Sequence, residues 1–161
     1  MSKVDPIPKG YHSITPAITV SDAKSAIEFY KKAFGAEQRE ICLGPDGKKV
    51  MHAEMKIGDS IVMLNDEFPP MGCLSPQSLK GSPVTLQLYV ENVDSVFDQA
   101  VKAGATVTMP LSDQFWGDRY GQVVDPYGHR WGISTHIANP TPEEMKKAME
   151  EWSKKEMAHA K

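Results

Sequence analysis

Apolar residues recur along this chain in two rhythms, one of period two and one of period 3.6. Ile14-Thr-Pro-Ala-Ile-Thr-Val20 reads as a strand. Ala23, Ala26, Ile27, Tyr30, Ala33 and Phe34 then recur at helical spacing, with Ser21-Asp22 placed to cap that helix and Gly35 to end it. Two strands, roughly 36–43 and 49–57, flank the turn Gly44-Pro-Asp-Gly47, and Gly58-Asp59 leads into a fourth at 60–65. Residues 113–131 contain the most distinctive stretch. Aromatic and charged residues alternate there on both sides of Asp125-Pro-Tyr-Gly128, whose proline and glycine predict a tight hairpin connection between antiparallel strands.

The pattern repeats. A shift of 70 residues lays Ile14-Thr15 on Val84-Thr85 and Val20 on Val90. The helix face Ala23, Ala26, Ile27, Tyr30 falls on Val93, Val96, Phe97, Ala100, and the strand from Ser60 falls on the strand from Arg130. Each half therefore reads as strand–helix–strand–strand–strand. Module one spans 12–65 and module two 84–137, joined by a Pro- and Gly-bearing segment at 66–83 that is either a linker or a lid. Residues 1–11 form an arm. After the second module, Thr141-Pro-Glu-Glu144 is a capping box with proline at the first helical position. Met145, Ala148, Met149 and Trp152 then make the apolar stripe of a C-terminal helix within 138–161. The expected architecture is α+β: two tandem βαβββ modules forming curved mixed sheets around a central cleft, with helices outside.

Strand alternation sorts side chains onto two faces. Ile18, Val20, Met51, Ala53, Met55, Ile57, Val84, Leu86, Leu88 and Val90 are expected on the helix side. The opposite face gathers His52, Glu54, Lys56, Gln87, Tyr89, Tyr120, Gln122, Gly132, Ser134 and His136, with Val62 and Leu64 from the fourth strand. Trp116, Tyr120, Tyr89 and Trp131 are costly to expose together, and Gly132 opens space beside them, so this face is expected to be a pocket. His129 is expected to be exposed.

Composition narrows the function classes. The chain has 161 residues and a net charge of -3 with scattered Lys and Arg, which argues against nucleic-acid binding. No apolar run is long enough to span a bilayer, and residues 1–10 lack the apolar core of a signal peptide. Cys42 and Cys73 make neither a disulfide framework nor a metal-binding pair, and suit a cytoplasmic protein. Nucleophile elbows, phosphate loops and dinucleotide fingerprints are absent.

The two βαβββ modules, the Asp-started helix ending in Phe34-Gly35-Ala36, and Asp125-Pro-Tyr-Gly128 before the last strand resemble the vicinal oxygen chelate superfamily. Within it, residues 51–60 and 113–131 look most like the PhnB-like branch of the glyoxalase, bleomycin-resistance and dioxygenase proteins. The resemblance implies a small-molecule site and a homodimer. Metal-dependent members take ligands from the first and last strands of each module. Those positions fall here on Thr15, Val62, Thr85 and Gly132, none a strong ligand, so the usual metal and any other cofactor are not expected. The bleomycin-binding proteins share that lack, and carry a Trp-Gly-charged segment similar to Trp116-Gly117-Asp118.

Two readings follow. In the first, the protein binds a planar or apolar molecule on Trp116, Tyr89, Tyr120 and Trp131, with Gln87 and Gln122 beside them and with Glu54 and Asp118 meeting polar or cationic groups. In the second, His52, Glu54 and Gln87 form an atypical divalent-metal site or an acid–base set of a lyase, isomerase or dioxygenase. His52 and Glu54 are the candidate catalytic residues.

Overall fold

The computed structural model describes residues 4–159. Module one runs β1 (Ala17–Val20), α1 (Ala23–Phe34), β2 (Glu37–Leu43), β3 (Val50–Ile57) and β4 (Ser60–Asp66). Module two repeats it as β5 (Thr85–Tyr89), α3 (Val93–Ala103), β6 (Thr106–Asp113), β7 (Asp118–Val124) and β8 (Arg130–His136). Between them lie a 3-10 turn (Pro69–Met71) and α2 (Pro76–Leu79), and α4 (Pro142–His159) follows the second module. The sheets are ordered β1-β4-β3-β2 and β5-β8-β7-β6, each with one parallel pair, β1/β4 or β5/β8, and antiparallel pairs elsewhere. This is the expected α+β fold of two βαβββ modules.

The helices end where side chains can satisfy free backbone groups. Asp22 accepts from the Ser25 amide at 3.1 Å and Asn92 from the Ser95 amide at 3.0 Å, equivalent caps on α1 and α3. Gly35 and Gly104, with φ of 65° and 119°, close the two helices in a conformation that β-carbon sterics disfavour. The last strand of each module also ties back to its helix. Asp66 accepts from the Ala23 amide at 2.7 Å, and Thr135 Oγ1 accepts from the Val93 amide at 2.9 Å.

One core serves both modules. Ile18, Val20, Ala26, Ile27, Met55 and Leu64 join Val93, Phe97, Val123 and Ile133 between the sheets and the helices. Two core strands differ from the expected pattern. Register shifts between β2 and β3 give the core position to Val50, leaving Met51 40% exposed. Val84, 60% exposed, precedes β5 and lies outside the core.

The buried Asp125 joins the modules. Its Oδ2 accepts from Tyr30 Oη of α1 at 2.6 Å and from Trp131 Nε1 at 2.9 Å. Its Oδ1 accepts the Tyr127 and His129 amides, both at 2.9 Å. His129, far from exposed, is buried with Nε2 2.9 Å from the Thr19 carbonyl of β1. The segment 66–83 is packed as well. Ser75 caps α2, Gln77 Nε2 donates to the Pro126 carbonyl at 2.7 Å, and Phe68 bridges Cys73. It sits on the Asp125-Pro126-Tyr127-Gly128 turn, close enough that a β-carbon on Gly128 would stand 2.9 Å from Pro76 Cβ.

Candidate functional site

Module two carries an aromatic face. The hairpin register sets Tyr120 opposite Ser134, Gln122 opposite Gly132 and Asp118 opposite His136, while β5 adds Gln87 beside Gly132 and Tyr89 beside Ser134. Paired residues share a face, so these side chains converge in front of the sheet. With Trp116 they line a depression of 450 Å³. Tyr89 is 61% exposed and Trp116 38%, and the Trp116 and Tyr120 rings meet edge to face at 5.9 Å. Gly132 lets the Gln87 and Tyr120 side chains lie close against the sheet. A β-carbon there would collide with the Gln87 side-chain oxygen and stand 2.9 Å from Tyr120 Cε2.

Hydrogen bonds orient the face. Gln87 Nε2 donates to Ser134 Oγ at 2.6 Å, and Gln122 Nε2 donates to the Tyr120 hydroxyl. Asp118 Oδ2 accepts from Tyr89 Oη at 2.9 Å and from Trp116 Nε1 at 3.2 Å. Its Oδ1 lies 2.8 Å from His136 Nδ1. Burial pushes the Asp118 carboxyl up, but the hydrogen bonds from His136, Tyr89 and Trp116 together hold it below the usual carboxylate range. The carboxylate therefore stays ionised and fixes two of the exposed rings.

Module one presents a different face. Glu54, on β3, accepts from the Tyr11 hydroxyl of the N-terminal arm and lies 3.4 Å from His52 Nε2. The Tyr11 bond draws the Glu54 carboxyl below its ordinary value, against the opposing effect of burial. Asn65 Nδ2, nearby on β4, donates to Thr19 Oγ1 at 3.3 Å.

The structure groups the candidates as His52 with Glu54, and Gln87, Tyr89, Trp116, Asp118, Tyr120 with Gln122. It does not bring the two groups into one cavity, because α1, α3 and the shared core join the modules behind the sheets. A larger groove, 580 Å³, runs beside the outer edge of β5, against Ile14, Pro16 and the turn 57–60. It shares Gln87 and Tyr89 with the depression but lacks Trp116, Asp118, Tyr120 and Gln122. Chemistry, not size, favours the shallower site. Trp131 lies outside the depression and borders the larger groove: 3% exposed, its ring packs on Phe34 at 4.5 Å and Tyr30 at 5.6 Å, behind the sheet. It alternates with Gly132, so the glycine and the tryptophan cannot share a face.

The usual chelate positions also move. Val62 pairs with Met55 and Leu64 with Ala53, so both face the helices, and Met63 is the residue beside Ala17 as Gly132 is beside Gln87. The repeat slips by one residue at this strand. Thr15, Met63, Thr85 and Gly132 supply two hydroxyls, a thioether and a hydrogen, which do not fit a divalent ion. Among the described residues, no group of three or more His, Cys, Asp or Glu is placed to hold one. Of the atypical set, Gln87 lines the depression, and His52 and Glu54 lie together on β3.

Tyr11 was not foreseen, since nothing in the arm's pattern shows where it lands. The Asp118–His136 pair was readable by counting back from the turn, because Val124 opposite Arg130 implies Asp118 opposite His136.

A model of the Glyoxalase/Bleomycin resistance protein/Dioxygenase superfamily matches residues 11–133. An uncharacterized protein of Mycobacterium tuberculosis is 46% identical over 140 residues, covering 85% of this chain and 82% of that one. Protein YjdN of Escherichia coli is 25% identical over 142 residues, covering 74% of this chain and 92% of its own length. The crystal structure of TioX from Micromonospora sp. ML1 superimposes with a TM-score of 0.61 at 25% identity, covering 78% of this chain and 99% of that one. The PhnB protein from Bacillus cereus superimposes with a TM-score of 0.59 at 21% identity, over 77% and 99% of the two chains.

Proposed function

Because this chain belongs to the Glyoxalase/Bleomycin resistance protein/Dioxygenase superfamily, we propose that it is a binding protein for a small planar molecule, held on the aromatic face of module two without the family's usual metal. The observation that carries this is the arrangement of Tyr89, Trp116 and Tyr120 around the depression, with Gln87 and Tyr120 lying close over Gly132. A flat ligand entering there would stack on the rings, and the amide oxygens of Gln87 and Gln122 would accept from its edge, since both amide nitrogens already donate within the protein. The family fold hosts several chemistries, so the reading rests on the site itself.

Titration of Trp fluorescence with planar aromatic ligands tests it. Saturable quenching that disappears in Trp116→Ala supports the proposal. A stoichiometric divalent ion in untagged protein, lost in Glu54→Gln, would overturn it.

The hydrogen bond from Tyr11 to Glu54, with His52 beside it, favours a second reading: an enzyme whose module-one face moves a proton. Substrate turnover that collapses in Glu54→Gln and survives Trp116→Ala would select it.

Two further proposals concern setting. The outer strand β2 is exposed along its whole length, including Ile41 and Leu43, and Met149 and Trp152 stand exposed on α4. These surfaces support a homodimer. No helix of the described residues is long and apolar enough to cross a membrane. Cys42 and Cys73 are unbonded, which supports the reducing cytoplasm as its location.

A further inference from the structure

The charge of the module-two face is set by a residue just outside it. Asp118, 4% exposed, is the only charged group among the described residues that line the depression. His136 lies against it, with Nδ1 2.8 Å from Asp118 Oδ1 and Nε2 2.9 Å from Asn139 Oδ1. Both ring nitrogens thus face acceptors. An imidazole can donate from both only when it carries both protons, so with the Asn139 amide oxygen turned towards it this arrangement suits an imidazolium. Its positive charge matches the Asp118 anion at contact distance. The remaining carboxylate oxygen is engaged by Tyr89 and Trp116.

The consequence is a neutral face with an ion pair at its border. The expectation that Asp118 meets a polar or cationic ligand group does not suit a cation in this arrangement, since its charge is already matched and both its oxygens are engaged. Resting on the binding reading above, we propose that the ligand of this face is an uncharged planar molecule, and that His136 is the positioning residue that sets this preference. Without the imidazolium, Asp118 would leave one uncompensated negative charge beneath the rings. A cationic aromatic would then be drawn to the same place by Coulomb attraction and by the ring faces.

The groups facing His136 are few. Asp118 comes from β7, its other oxygen held by Tyr89 of β5, and Asn139 follows β8. Arg119, next to Asp118 on β7, alternates to the other face, where it pairs with Asp94 at 2.6 Å and Asp113 at 2.9 Å. The bonds to Asn139 and Asp118 raise the His136 pKa above its ordinary value. The imidazolium therefore persists to higher pH than in a free histidine. As pH rises through that value, the neutral-ligand preference should fade.

N-methylacridone and N-methylacridinium, nearly equal in shape and differing in charge, test the proposal by Trp quenching on the full chain. At pH 6 the wild type should bind the neutral probe more tightly. His136→Gln should shift the affinity ratio towards the cation by about tenfold or more, the scale of one unscreened charge at short range. The double variant His136→Gln/Asp118→Asn should restore the neutral preference, which a merely structural role of His136 would not do. Asp118→Asn alone should strengthen it. A wild type that prefers the cation, or a ratio unmoved by His136→Gln, overturns the proposal while leaving the binding reading intact. If neither probe binds any of these proteins, the binding reading fails, and this one with it.

Discussion

The phenol of Tyr30 donates to Asp125 Oδ2 at 2.6 Å, across 95 residues of chain and from the first module to the second. The bond is buried, and burial together with the Asp125 charge raises the Tyr30 pKa well above its ordinary value. Asp125 thus fills two needs: it closes the turn at Tyr127 and His129 and it ties α1 to that turn. Tyr30→Phe should destabilise the protein by about 1–2 kcal/mol, the usual effect of removing one donor from a buried carboxylate. Asp125→Ala should cost more, since it leaves the Tyr30, Trp131 and backbone donors unpaired. Urea unfolding midpoints measure both. Equal midpoints for wild type and Asp125→Ala would contradict the lock.

Gly117 is a second point of close approach. Its φ is 99°, and a β-carbon there would overlap the Ala138 carbonyl, which is rigid backbone. The Gly117 carbonyl also accepts the Ile137 and Ala138 amides at 2.8 and 3.0 Å. Gly117→Ala should therefore lower stability by about 1–3 kcal/mol and disturb the segment bearing Trp116. Thermal unfolding and the Trp emission maximum should both change. Gly132→Ala should act differently. The atoms it meets are side-chain ends of Gln87 and Tyr120, which can give way, so probe affinity should fall about tenfold or more with a smaller loss of stability.

Acid should release the N-terminal arm. The Tyr11 bond holds the Glu54 carboxyl below the ordinary glutamate value, so its stabilising effect is complete above that value. It is lost as pH falls through the lowered folded-state value and the carboxylate is protonated. Limited proteolysis near residues 4–13 should accelerate in Tyr11→Phe at neutral pH and in the wild type only at acidic pH. Indifference of both to cleavage would argue against the tie.

Truncation after Asn139 removes α4 and its exposed Met149 and Trp152. The full chain should sediment as a dimer at micromolar concentration, and the truncated chain should dissociate more readily. A monomeric full chain would contradict the dimer.

The sequence by itself determined the modules. Helical spacing marked α1 and α3, Asp22 and Gly35 marked the limits of α1, and Asp125-Pro-Tyr-Gly marked the turn between β7 and β8, because capping and turn formation depend on neighbouring residues alone. The repeat then implied the α+β fold, and alternation placed Gln87, Tyr89, Tyr120 and Gln122 on one face. Three things required the tertiary structure. The one-residue slip that turns Val62 inward is set by how β4 pairs with β1 and β3, and a strand's register shift of one residue exchanges its faces. Trp131 and His129 are buried because α1 and β1 of the other module lie against them, a relation between residues about a hundred positions apart. The separation of His52 and Glu54 from the aromatic face follows from packing the modules through their helices. Local periodicity describes each sheet's faces, but it holds no information about which faces meet.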